Sequence, residues 1–121
     1  MARHNKTGDK GEELALEYLE ERGYTVLETN WHYRRLEIDI IAINETFLII
    51  VEVKTRSNDK YGLPEESVKR EKQIQLIKAA QHYTTRFRIQ QEVRFDIISV
   101  ILSPEQPKIE HIKNAFTPGW Y

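Results

Sequence analysis

The sequence predicts an α/β fold, a mixed sheet flanked by helices in the order α-β-β-β-α-β-β. Three observations carry this expectation. Two stretches repeat apolar residues at helical spacing, and five others concentrate β-branched and aromatic residues. The second helical stretch falls between the third and fourth strands, where it can return the chain to pair with the strands before it.

The first helix is read from Asp9 to Arg22, where Leu14, Ala15, Tyr18 and Leu19 share one face and Gly23 supplies a stop. Tyr24 to Tyr33, Leu36 to Ile43 and Thr46 to Lys54 read as three strands of a meander, the last two joined at Asn44-Glu45. Arg56 to Leu63 is polar and contains Gly62, so it reads as a loop that is mobile without substrate; Pro64 suits the first position of the next helix. That helix carries Val68, Leu76, Ile77, Ala80, Tyr83 and Phe87 along one stripe. Val93 to Leu102 is a further strand, Pro104 and Pro107 bound a turn, and Lys108 to Phe116 is a short edge strand.

At 121 residues the chain is expected to form one domain, with 1–8 and 115–121 as loose tails. Hydrophobic residues make up 40% and charged residues 31%, which favours a globular chain over disorder. The absence of cysteine excludes disulfides and Cys-based zinc sites. The four histidines show no H-x-x-x-H pairing and are expected at the surface or partly buried, without metal. The amino terminus lacks an apolar signal core and no apolar run reaches the ~18 residues of a span, so a cytoplasmic protein without membrane contact is expected. A net charge of −1 argues against a uniformly basic coat for nucleic acid and leaves room for a local patch.

The charges inside the apolar strands are the chemical signal. Glu52 and Lys54 share one strand face, as do Glu37 and Asp39 on the strand before. A two-residue loop makes Asp39 a diagonal neighbour of Glu52, and a four-residue loop pairs them directly. Any even loop brings Asp39, Glu52 and Lys54 to one face, whereas an odd one separates them. Converging carboxylates repel unless a cation lies between them, and oxygen ligands suit Mg²⁺ or Mn²⁺. Lys54 could then orient a water or neutralise phosphate charge. About 0.4 chance E-x-K matches are expected in such a chain, so the triplet alone decides nothing. Its apolar flanks weigh more, because unpaired charge is costly there.

Two helices offer further groups. Glu12 lies on or beside the buried face of the first helix, able either to point at the sheet or to close a capping box with Asp9. Lys72 lies on the inner stripe of the second, able to snorkel or to reach a phosphate. Arg34, Arg35, Lys54, Arg56, Lys69, Arg70 and Lys72 flank the acidic residues in sequence, and a positive rim of this kind suits a polyanion.

The ordered set G-x-x-G-E-x-x-A (Gly8, Gly11, Glu12, Ala15), E-I-D (Glu37 to Asp39), V-E-V-K-T-R (Val51 to Arg56), V-x-x-x-K (Val68, Lys72) and R-F-D-I-I (Arg94 to Ile98) resembles the bacterial YraN-like family. That family is grouped with PD-(D/E)xK nuclease-like proteins and is similar to archaeal Holliday-junction resolvases. The resemblance spans nearly the whole chain and implies a restriction-endonuclease-like core. It further implies Asp39 and Glu52 as metal ligands, Lys54 as the catalytic lysine and Glu12 as the helix-borne acid. Leu36 stands where the family usually has glycine, and Ile38 where the "PD" motif has proline.

The function expected is a Mg²⁺- or Mn²⁺-dependent endonuclease hydrolysing phosphodiester bonds in DNA, structured or branched DNA included. Asp39, Glu52 and Glu12 would hold metal, Lys54 would act on water or phosphate, and Arg34, Arg35, Arg56, Lys69 and Lys72 would bind nucleic acid. A homodimer would suit paired cuts. The rivals are a nucleic-acid-binding module of the same fold that does not cut, and a small adaptor with structural sheet charges.

Overall fold

The computed structural model describes residues 6–57, 68–103 and 105–118. Its elements are α1 (Lys6–Glu21), β1 (Thr25–Tyr33), β2 (Leu36–Ile43), β3 (Phe47–Arg56), α2 (Arg70–Arg86), β4 (Glu92–Ile101) and β5 (Lys108–Phe116). This is the expected α/β order. The strands form one sheet in sequence order, antiparallel throughout except for the parallel pair β3 and β4, between which α2 carries the chain back.

Each helix covers one face. Ala15 and Leu19 of α1 pack with Ile40, Ala42, Ile49, Val51, Ile98 and Val100. On the other side, Leu76, Ala79, Ala80 and Tyr83 of α2 pack with Ile41, Leu48, Ile50, Phe95 and Ile97. A strand covered on both faces needs apolar residues at consecutive positions, which accounts for the run Leu48 to Val51. Alternation then turns Glu52 toward the α2 side, in line with Leu48 and Ile50.

Gly23 ends α1 as expected. Its φ of 87° is a left-handed conformation, its N–H donates to Glu20 O, and the N–H of Tyr24 donates to Leu19 O. The helix begins at Lys6, earlier than Asp9, and runs through Gly8 and Gly11; residues 6–8 are therefore helical rather than part of a loose tail. At the other end, 115–116 belong to β5, paired to β4 through Phe116 and Phe95. The second helix also departs from expectation. It starts at Arg70 because Lys69 is extended (φ −74°, ψ 160°), with Val68 buried and its carbonyl taken by the Gln73 side chain at 2.9 Å. Pro64 and most of the expected loop lie outside the described residues.

Gly11 fixes how closely α1 approaches the sheet. A Cβ there would overlap Thr55 Oγ1 and lie 2.8 Å from both Thr55 Cβ and Cγ2, so rotating the threonine clears nothing. Gly11→Ala is therefore expected to destabilise by about 1–3 kcal/mol, despite alanine's better helix propensity. Urea denaturation measures this, and Thr55→Gly in the same chain should recover most of the loss. An alanine variant as stable as the parent would contradict the close packing.

Candidate metal centre and cleft

The β2–β3 hairpin sets the site. Its ladder runs from Ile43↔Leu48 to Ile40↔Val51, which leaves residues 44–47 as a four-residue connection. Asn44 closes it, its N–H donating to Phe47 O and its Oδ1 accepting from the N–H groups of Thr46 and Phe47. Continued by one step, this register sets Asp39 opposite Glu52, the even-loop arrangement. The ladder stops there instead. Asp39 Oδ2 accepts from Val53 N–H at 2.8 Å, so a carboxylate takes the place of a strand carbonyl. Beyond this point, among the described residues, β2 pairs only with β1, and β3 only with β4, which opens a notch between them.

Three carboxylates meet at the notch. Glu12, Glu37 and Asp39 each bring an oxygen within 4.8 Å of the others. Asn30 holds two of them: its amide donates to Glu37 Oε2 at 2.9 Å and reaches Glu12 Oε1 and Oε2 at 3.2 and 3.4 Å. Asn30 has φ 51° and drops out of the β1–β2 ladder between Thr29↔Ile40 and Trp31↔Ile38, which places it opposite Asp39. Asparagine tolerates that left-handed backbone better than most side chains. His32 Nε2 lies 3.2 Å from Glu37 Oε1. Glu12 therefore turns to the sheet rather than closing a capping box, since Asp9 sits inside α1 and not at its start.

Glu52 is placed differently from the expected ligand set. It is 6% exposed, and its Oε2 takes Lys72 Nζ at 2.5 Å and Lys54 Nζ at 3.4 Å. Its Oε1 is buried without a hydrogen-bond partner among the described residues. Glu37, rather than Glu52, groups with Glu12 and Asp39. The alternation in E-I-D set Glu37 beside Asp39, and the Asn30 bridge ties it to Glu12. Lys72, an ambiguous inner-stripe lysine in the sequence, reaches Glu52 more closely than Lys54 does.

The Asp39 carboxyl is pushed up to about 7 from 3.8. Burial is the largest cause, followed by the charge of Glu52; Glu12 adds to the rise, while Val53 N–H and Lys72 oppose it. An all-oxygen donor set in which the charge of Glu12 adds to the rise of Asp39 fits a hard divalent cation, with Glu12, Glu37 and Asp39 as the residues that would hold it.

A cleft of about 800 Å³ runs from these carboxylates between the β1–β2 turn and α2. Arg34, Arg35, Lys72 and Lys78 supply its positive charge, and Glu37 and Asp39 its acidic end. Of the basic residues expected at a rim, Arg34, Arg35 and Lys72 line the cleft, and Arg56 and Lys69 do not. Gln75 and Lys78 join it at three and six residues from Lys72 along α2, a signal present in the sequence.

A second charged cluster lies under α1, on the face opposite Glu52. Arg94 donates to both oxygens of Asp96 at 2.9 and 2.8 Å and to Tyr24 OH at 2.9 Å. His111 Nε2 lies 2.6 Å from Asp96 Oδ2, and Asn114 N–H donates to Oδ1 at 3.0 Å. Burial alone would raise the Asp96 carboxyl, but the bonds from His111, Arg94 and Asn114 together hold it below its usual value. The R-F-D-I-I segment is therefore a structural clamp joining β4 to β5.

These features define a small α/β protein with an acid-and-lysine notch opening into a basic cleft. The chain belongs to the uncharacterised protein family UPF0102, the YraN-like family, whose model matches residues 11–100. It is 49% identical to a UPF0102 protein of Christiangramia forsetii, over 96% of this chain and 98% of that one. A UPF0102 protein of Bacteroides thetaiotaomicron is 48% identical over 98% of each chain, and one of Flavobacterium psychrophilum 47% over 96% and 98%. The matched span contains every notch residue.

Proposed function

We propose that this protein is a Mg²⁺- or Mn²⁺-dependent endonuclease of the PD-(D/E)xK type that hydrolyses phosphodiester bonds in DNA. The observation that carries the reading is the convergence of Glu12, Glu37 and Asp39 beside the Glu52–Lys54–Lys72 group, at the head of a basic cleft. An ion bound by the three carboxylates would supply Lewis acidity and a water of lowered pKa. Lys54 and Lys72 hold two positive charges beside Glu52, where they can neutralise charge growing on phosphate oxygens. Glu52 orients both ammonium groups. Arg34, Arg35 and Lys78 bind the chain backbone on either side.

Lys54→Ala is expected to lower single-turnover cleavage by about two orders of magnitude while divalent-ion binding persists, since the carboxylate that Lys54 reaches is Glu52. Asp39→Ala should remove cleavage and weaken ion binding together. Wild-type turnover in Lys54→Ala would exclude it from the chemistry.

The functional test is incubation of the full chain with plasmid, single-stranded and four-way-junction DNA in Mg²⁺, Mn²⁺ or EDTA. Metal-dependent nicking supports the hydrolase, and its absence on every substrate ends it. One observation favours a second reading, a binding module that does not cut. Lys72 and Lys54 already neutralise Glu52, so part of the notch is balanced without any ion. Metal-independent retention of DNA without cleavage would select that module.

A further inference from the structure

We infer that the cleft receives an unpaired stretch of nucleic acid, with one base stacked on Tyr33 and the adjoining phosphates on Arg34, Arg35 and Lys78. This rests on the reading of the cleft as a nucleic-acid site and adds the class of strand it takes. Tyr33 lines the cleft beside the acidic notch, at the end of edge strand β1. Its ring belongs to a braced aromatic stack. Trp31 lies parallel to it at 6.5 Å and 8°, and His82 of α2 sits 4.9 Å away; Trp31 is held in turn by the edge of Tyr83 at 5.2 Å.

The adjoining turn is built for its side chains rather than for backbone ease. Tyr33 pairs with Leu36, leaving Arg34 and Arg35 as a two-residue connection, and Arg34 adopts φ 57°. Glycine or asparagine meets that left-handed conformation with less strain. The arginine sets its guanidinium 5.5 Å from the Tyr33 ring centroid, a position that a base can take while the guanidinium moves to the phosphate. An aromatic platform flanked by cations is the arrangement that binds single strands, because every base offers a π-face. Bases within a duplex have both faces covered by their neighbours. Tyr33 therefore discriminates by strandedness and not by sequence.

Fluorescence anisotropy with Ca²⁺ in place of Mg²⁺ tests this, using a labelled single strand, the blunt duplex of the same sequence, and a duplex with a single-stranded tail. The single strand and the tailed duplex should bind about tenfold tighter than the blunt duplex. Tyr33→Ala should remove about that factor for the single strand and leave the duplex nearly unchanged. Tyr33→Phe, which keeps the ring face, should recover most of the loss. Arg34→Gly relieves the turn, so it should weaken single-strand binding while thermal stability holds or rises, the reverse of a merely structural role. Equal affinity for strand and duplex, or a Tyr33→Ala loss shared by both, overturns the inference. Tyr33-dependent single-strand binding without cleavage of any substrate leaves the inference standing and removes the hydrolase. Metal-dependent cutting with Tyr33→Ala at full affinity does the opposite.

Discussion

Asp39→Asn is expected to make the metal-free protein more stable at pH 8, by up to about 4 kcal/mol. The Asp39 carboxyl titrates near 7 in the fold against 3.8 for the free group, and each tenfold in acidity is about 1.4 kcal/mol. Below about pH 3.8 the group is neutral in both states and the fold bears no penalty. As pH rises toward 7 the unfolded chain ionises first, so folding loses stability, and the full penalty is present above 7. Asparagine keeps an oxygen for the Val53 N–H and carries no charge against Glu52 and Glu12. Thermal melts should therefore show the variant higher by on the order of 10 °C at pH 8, converging with the parent toward pH 4. Added Mn²⁺ should raise the parent's midpoint and leave the variant's nearly unmoved. A variant less stable than the parent at pH 8 would mean that the acidic notch is already balanced.

The second large effect lies on the other face of the sheet. Asp96→Ala should cost about 3–5 kcal/mol, because it strands Arg94 and His111, whose side chains are 11% and 2% exposed, without their shared acceptor. Small domains hold about 5–15 kcal/mol in total, so the variant approaches unfolding at ambient temperature. Urea denaturation at pH 7 gives the number. Asp96→Asn, which keeps the shape and loses the charge, should fall between the two. A loss under about 1 kcal/mol would show the clamp to be dispensable.

The order of elements was legible because strands and helices announce themselves locally. The runs at Leu36 to Ile43 and Phe47 to Arg56 need both faces covered, and their periodicity differs plainly from that of α1 and α2. The site was legible where one hairpin determined it, and an even connection between β2 and β3 was enough to bring Asp39 to Glu52. It was illegible where three elements converge. Asn30 sits in a kink of β1 that no residue pattern marks, and it joins Glu12 from α1 to Glu37 from β2. That Lys72 reaches Glu52 is a packing outcome of α2. Arg94 and Asp96 could have been placed on one face by alternation, but His111 enters from β5 through tertiary pairing alone. The start of α2 was misplaced because burial of Val68 and the Gln73 side chain, rather than a capping residue, decide it.

Calorimetric titration with Mn²⁺ at pH 8 reads the divalent-cation site proposed at Glu12, Glu37 and Asp39. The parent should bind Mn²⁺ at this site with an affinity that weakens as pH falls through 7, since the ion must displace the proton on Asp39. Asp39→Asn and Glu37→Gln should each reduce that binding at least tenfold, with Lys54→Ala unchanged. Mn²⁺ binding that is absent from the parent, or the same in all four proteins, would contradict the site.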